Sequence, residues 1–187
     1  MGTDWKRIAM SNIVLMGYRG CGKSSLGKKI ASKTWKDFID TDEKVRDRFD
    51  GATIAEIWEA HGEPAFRTAE AEVVAEAMNE SNAVIALGGG TLMSADARAA
   101  VEAASGGKKI YLHCRAAVLA ERIAADPAGT GNRPGLTEGS SGAADPDEIA
   151  KVLEERDPVY REVSDAVLDV TYLDLEGALT YIMRTYA

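Results

Sequence analysis

The stretch "GYRGCGKSS", Gly17 to Ser25, follows the apolar run "NIVLM" and precedes "LGKKIASK". A short apolar run ahead and helical spacing behind place it where a strand gives way to a helix. Gly17 to Ser24 matches G-x-x-x-x-G-K-S, and each residue type has a chemical reason. Glycines let backbone N–H groups turn inward around phosphate oxygens, Lys23 brings a positive charge to the β and γ phosphates, and Ser24 offers a hydroxyl to Mg²⁺. The helix that follows adds the positive end of its dipole. From average residue usage a chance match in a chain of this size is on the order of one in a hundred. Binding of a nucleoside triphosphate is the inference, with Gly20, Cys21, Gly22, Lys23, Ser24 and Ser25 as nucleotide-binding candidates and Ser24 also as a metal ligand.

Working outward, "NIVLMG", "DFID", "AVIALG", "KIYLHC" and "AVLDV" read as short buried strands. Between them lie stretches with helical spacing, such as "LGKKIASK", "PAFRTAEAEVVAEAMN" and "AVLAERIAA". Such alternation implies right-handed crossovers and a parallel sheet covered on both faces. Thr53 and Glu56 have capping-box spacing, and Asp145-Pro146 fits a cap followed by proline at the first helical position. No internal repeat is seen.

A length of 187 residues with 45% hydrophobic content suits one sizeable core, so one domain over 1–187 is expected. A formal charge of -8 argues against a general affinity for nucleic acid or an anionic membrane, so an anionic ligand needs a local basic cluster. The two cysteines, Cys21 and Cys114, suggest neither a disulfide framework nor a zinc site and fit a reducing compartment. The N-terminal "MGTDWKRIAMSNIVLMG" has the outline of a signal peptide, but its apolar run is short and leads into the glycine-rich loop. A cytoplasmic location without a membrane partner is the expectation.

What receives the phosphate must be read elsewhere. "FIDTD" closes the second predicted strand with Asp40 and Asp42, and a period of two in extended chain would point both carboxylates the same way. One would hold Mg²⁺, directly or through water, while the other takes a proton from a substrate hydroxyl. Taken alone, such a pair is more often a helix cap or turn than a catalytic pair; its position after the phosphate loop reverses that preference. The third strand ends at Gly88, Gly89 and Gly90, a place for close approach of a ligand or for a flexible turn. Arg67, Arg133 and Arg156 stand outside the basic-helix pattern; singly they read as solvated charges, whereas convergence would give a fork for a carboxylate and a clamp for a phosphoryl group. Residues 126–148, dense in Gly, Pro, Ser and Asp, read as a lid or as a surface insertion.

In this order, "GYRGCGKSS", "DTD", "FRTAE", "GGGT", "NRPGL" and "RDPVY" make the chain resemble the shikimate kinases from about Asn12 to about Asp169. The resemblance implies a three-layer α/β/α fold of the P-loop kinase type with a five-stranded parallel sheet, a mobile lid over about 126–148 and a substrate-binding helical segment over about 41–70. It implies transfer of the γ-phosphoryl of ATP to the 3-hydroxyl of shikimate, a step towards chorismate and aromatic amino acids, with Mg²⁺ as cofactor and a monomer as the working unit. Carried over by residue, Lys23 is the phosphate lysine, Ser24 and Asp40 stand on the metal side, and Asp42 holds the shikimate hydroxyls as candidate base. Arg67 and Arg156 grip the shikimate carboxylate, Gly89 and Gly90 give backbone contact to the ring, and Arg133 is the lid arginine that reaches the phosphates.

The chain departs from that pattern in three places. Gly135 follows the lid Arg-Pro where the family usually has a leucine-like residue. The family's adenine-stacking arginine has no clear match in "AADPAG"; Arg122, one helical turn earlier, is a weak candidate to substitute for it. The insertion "TEGSSGAADPD" lengthens the lid. Two other classes are weighed: a related kinase for another small polyol acid such as gluconate, or for a nucleotide, and a non-enzymatic nucleotide-binding regulatory module. The pairing of Arg67 and Arg156 with Asp42 favours a carboxylated polyol. The retention of Lys23, Ser24, Asp40, Asp42 and Arg133 favours an enzyme.

Overall fold

The computed structural model describes residues 11–126 and 145–186. Five parallel strands, Ile13–Met16 (β1), Asp37–Asp40 (β2), Ala83–Ala86 (β3), Lys108–His113 (β4) and Ala166–Asp169 (β5), form one sheet in the order β2-β3-β1-β4-β5. The helices are Lys23–Thr34 (α1), Thr41–Asp47 (α2), Ile54–Asn79 (α3), Ala95–Ala103 (α4), Ala116–Ala124 (α5), Pro146–Val163 (α6) and Leu175–Tyr186 (α7). The expected α/β architecture with a five-stranded parallel sheet is therefore what the chain forms.

Central β1 shows why the strands read as unbroken apolar runs. Its four residues are all buried, Ile13 and Leu15 towards α1, α5 and α7, Val14 and Met16 towards α3, α4 and Tyr160 of α6. A strand covered on both faces has no polar side to show, and each such side chain contributes ~1.5–3 kcal/mol on burial. A third cluster of Val45, Ile54, Ile57, Phe66 and Val73 holds α2 against α3. Helix α6 takes part in both main clusters, through Ile149 and Val152 in one and Tyr160 and Val163 in the other.

The chain leaves β1 to one side for β2 and crosses it again between β3 and β4. Ligands of open α/β sheets sit at such a reversal, beyond the carboxyl ends of the strands. The glycine-rich loop emerges there, between β1 and α1. Helix α1 begins at Gly22, whose φ of 97° lies in the left-handed region, and it has neither a side-chain cap nor an acidic residue in its first turn. Its first N–H groups are left to an incoming anion.

Both marked helix starts are present: Thr53 and Glu56 close a reciprocal capping box, and Asp145 caps α6 ahead of Pro146. Helix α3 is broken at Gly62, where φ is 80°, and Pro64 follows where a new first turn tolerates it. This break starts the helical run that carries Arg67 and Glu70. One expectation changes its reason. Asp40 ends β2, but Asp42 stands in the first turn of α2, so the two carboxylates do not share an extended strand. The lid arginine Arg133 and residues 127–144 of the 126–148 segment lie outside the described residues, as do residues 1–10. Among the described residues no helix is long and apolar enough to cross a membrane.

Candidate active site

A cleft of about 370 Å³ opens beyond the sheet, lined by Gly20, Gly22, Lys23, Ser24 and Ser25 from the loop and α1, and by Asp40 and Asp42. Lys23 is buried, and its Nζ donates to the carbonyls of Gly17 at 2.8 Å and Tyr18 at 3.0 Å. These bonds hold the ammonium against the glycine-rich loop. Cys21, also in the loop, is buried and lines a smaller pocket of about 290 Å³ with Leu173 and Leu175.

Asp40 is both things its sequence context allowed. One carboxylate oxygen caps α2, accepting from the N–H groups of Asp42 at 3.0 Å and Glu43 at 3.3 Å. The other accepts from Ser24 Oγ at 2.6 Å. The cap aims the carboxylate at the loop serine, and the two hard oxygens meet at the cleft. Such a pair fits Mg²⁺, which binds through one or two carboxylates plus substrate phosphates and keeps several waters. A donor set of this kind needs no dedicated protein cage, and among the described residues no group of three or more His, Cys, Asp or Glu could hold a metal ion.

The acceptor side is assembled from distant segments. Gly88 N–H donates to Thr41 Oγ1 at 2.9 Å, which ties the triple glycine to the start of α2. Asp42 then packs so closely on Gly88 that a Cβ there would overlap its Oδ1, a physical reason for glycine at this position. Arg156 Nη1 donates to Gly89 O at 2.8 Å, and the Tyr160 hydroxyl donates to the same carbonyl. A Cβ placed at Gly90 would stand 3.7 Å from Nη1 of Arg67 and 3.7 Å from Nη1 of Arg156, so the two guanidinium groups flank one point of the backbone. Arg67, Arg156, Gly89, Gly90 and Asp42, separate in sequence, thus lie together.

The structure places three further residues, Glu70 and Tyr160 in this arrangement and Arg122 at the phosphate cleft. Glu70 is 2% exposed, accepts from Arg67 Nη1 at 2.8 Å and from Thr91 Oγ1 at 2.8 Å, and so orients the arginine. Burial pushes its carboxyl above the usual glutamate value, helped by the nearby Asp42 charge and opposed by its bonds to Arg67 and Thr91. The spacing Arg67-x-x-Glu70 was the available signal. Tyr160, one turn beyond Arg156, was hidden as an ordinary core aromatic. Arg122 lines both pockets and donates to the carbonyls of Val170 at 2.9 Å and Leu173 at 3.4 Å.

Known proteins resemble this chain along nearly its whole length. The family model for shikimate kinase matches residues 19–187. The shikimate kinase of Oleidesulfovibrio alaskensis is 42% identical over 160 residues, covering 86% of this chain and 88% of that one. The shikimate kinase of Caldanaerobacter subterraneus subsp. tengcongensis is 37% identical over 178 residues, covering 95% and 96%. Among solved structures, the Acinetobacter baumannii shikimate kinase in complex with shikimate superposes with a TM-score of 0.82 at 28% identity, covering 97% of this chain and 96% of that one. The Aquifex aeolicus shikimate kinase gives 0.73 at 28% identity, covering 92% and 94%. With the motif order, the sheet and these likenesses in agreement, the chain belongs to the shikimate kinase family.

Proposed function

We propose that this cleft transfers the γ-phosphoryl of ATP to the 3-hydroxyl of shikimate, giving shikimate 3-phosphate and ADP. The chain is a shikimate kinase, an ATP-dependent transferase of aromatic amino acid biosynthesis. The observation that carries the division of labour is the meeting of Asp42, Gly88 to Gly90, Arg67 and Arg156 beside the uncapped start of α1. In this reading Gly20 to Ser25 cradle the nucleotide phosphates through backbone N–H groups, and Lys23 turns from the loop carbonyls to the phosphate oxygens. Arg67 and Arg156 present two guanidinium forks to the carboxylate, a planar match that a lysine lacks. Gly89 and Gly90 contact the ring, and Asp42 orients the acceptor hydroxyl and takes its proton. Arg133, outside the described residues, is assigned to the phosphates by its motif alone. Arg122, which lines both pockets, is in this reading the candidate to flank the adenine.

Ser24 and Asp40 are the residues that would hold Mg²⁺. When bound, the cation neutralises phosphate charge and fixes the orientation of the phosphates. In-line transfer asks for positioning and charge neutralisation more than covalent help, and the site's residues supply both. The chain is proposed to work as a cytoplasmic monomer without nucleic acid or membrane partners; its charge of -8 supports the last two points.

The test is ADP release from MgATP, alone and with shikimate, gluconate or AMP added separately, with the product identified by mass. Stimulation by shikimate alone is the expected result. Stimulation by gluconate or AMP instead would leave nucleotide binding intact and overturn the acceptor assignment.

A further inference from the structure

Arg46 lies on α2 four residues beyond Asp42, which sets the two on one face of the helix. Both line the phosphate cleft with Lys23, Ser24 and Asp40. Yet Arg46 Nε is shut off from solvent and meets no hydrogen-bond partner among the described residues. Its guanidinium forms no ion pair among those residues either. Arg48, two positions on, is paired with Glu72 and Glu76, and Arg98 and Arg161 likewise have carboxylate partners. With 30 acidic residues against 22 basic ones, the chain does not lack partners to offer. A partly buried cation facing a phosphate cleft without an acceptor is costly unless an anion arrives to meet it.

The position of Arg46 selects which anion. The backbone N–H groups of the loop and the first turn of α1 approach the nucleotide phosphates from the β1 side. Arg46 reaches the same cleft from the helix that carries Asp42, so it stands beside both the phosphate loop and the proposed acceptor residue. We propose that Arg46 is a further catalytic residue, one that takes up the charge of the phosphoryl group in passage and then holds the phosphate of the product. This inference rests on the assignment of Asp42 to the acceptor hydroxyl. In the step, the bond from the γ-phosphorus to the bridging oxygen of ADP breaks and the bond to the shikimate 3-oxygen forms. The hydroxyl proton passes to Asp42, and Arg46 donates hydrogen bonds without exchanging a proton. Charge is then met by the loop and by Arg46 at the transferring group, where preorganised donors are most effective.

The experiment compares the whole chain with Arg46→Gln and Arg46→Lys, reading steady-state kinetics and, by calorimetry, the affinities for shikimate and for shikimate 3-phosphate. Arg46→Gln is expected to lower kcat by on the order of 10², the scale of one lost transition-state donor. Its KM for shikimate should stay within about twofold, as for an interaction made in the transition state and not in the ground state. Affinity for shikimate 3-phosphate should fall at least ~10-fold relative to shikimate, and Arg46→Lys should recover part of both losses because it keeps the charge but not the fork. Unchanged kcat and product affinity would overturn the assignment. So would a shift of the kcat pH profile with product affinity retained, which would make Arg46 a partner of the Asp42 carboxylate. Absence of shikimate turnover in the unmodified chain would sink the functional reading before any Arg46 variant is considered. Retained turnover with silent variants would sink the Arg46 role alone.

Discussion

The phosphate side of the cleft is one continuous stretch, Gly17 to Ser25, whereas the proposed acceptor side draws on α2, α3, the Gly88–Gly90 loop and α6, with Arg156 and Gly89 separated by 67 positions. The first is built chiefly from backbone: a glycine at positive φ, an uncapped helix start and a lysine folded back on loop carbonyls. The second is built from side chains that brace one another, Glu70 holding Arg67, the Gly89 carbonyl holding Arg156 and Tyr160, and Thr41 holding Gly88. Backbone recognition needs few residue types in a strict order, while a braced cluster needs correct packing of several elements. Substitutions on the acceptor side should therefore separate acceptor chemistry from nucleotide binding.

The largest expected effect is at Asp42. Asp42→Asn should lower turnover by ~10² or more, the range of a positioned acid-base group, with ATP binding retained. Near-normal turnover in that variant would remove Asp42 from the role of base and leave the contrast between the two sides without its central residue.

A smaller loss is expected for Arg156→Lys. The charge survives but the planar fork is lost, so titration should show shikimate binding weakened by ~10-fold or more while ATP binding is unchanged. If shikimate titrates as before, Arg156 serves to hold the Gly89 carbonyl and not the carboxylate.

The smallest effect is a pH dependence of stability at Glu70. Because burial holds its folded-state carboxyl above the ordinary value of 4.5, the folded chain takes the proton more readily than the unfolded one. That contribution is fully present below pH 4.5 and is lost as pH rises through the raised folded value. Glu70→Gln mimics the protonated form, so its urea midpoint should gain on that of the unmodified chain as pH climbs across that window. The opposite slope would mean that the bond to Arg67 outweighs the burial of the charge.

Much of this molecule was open to reading before any coordinates. The alternation of apolar runs with helical spacing fixed the parallel sheet because strands buried on both faces have no polar side to obscure them, as Ile13 to Met16 show. The glycine-rich loop was equally open, since its chemistry is carried by consecutive backbone groups. Asp40 and Asp42 both line the cleft, but a helix cap, not strand periodicity, aims Asp40 at Ser24.

What the sequence by itself determined is therefore the sheet, the phosphate loop and the motif order that marks the family, all of them local patterns repeated or completed within a few residues. Only the tertiary structure decided that Glu70 braces Arg67, that Gly90 lies between two guanidinium groups, that Arg122 borders both pockets and that Arg46 lines the cleft with its Nε unpartnered among the described residues. The physical reason is that hydrogen bonds and burial act over ångströms in space, and a residue's partner across 67 positions of chain exists only once the core has packed.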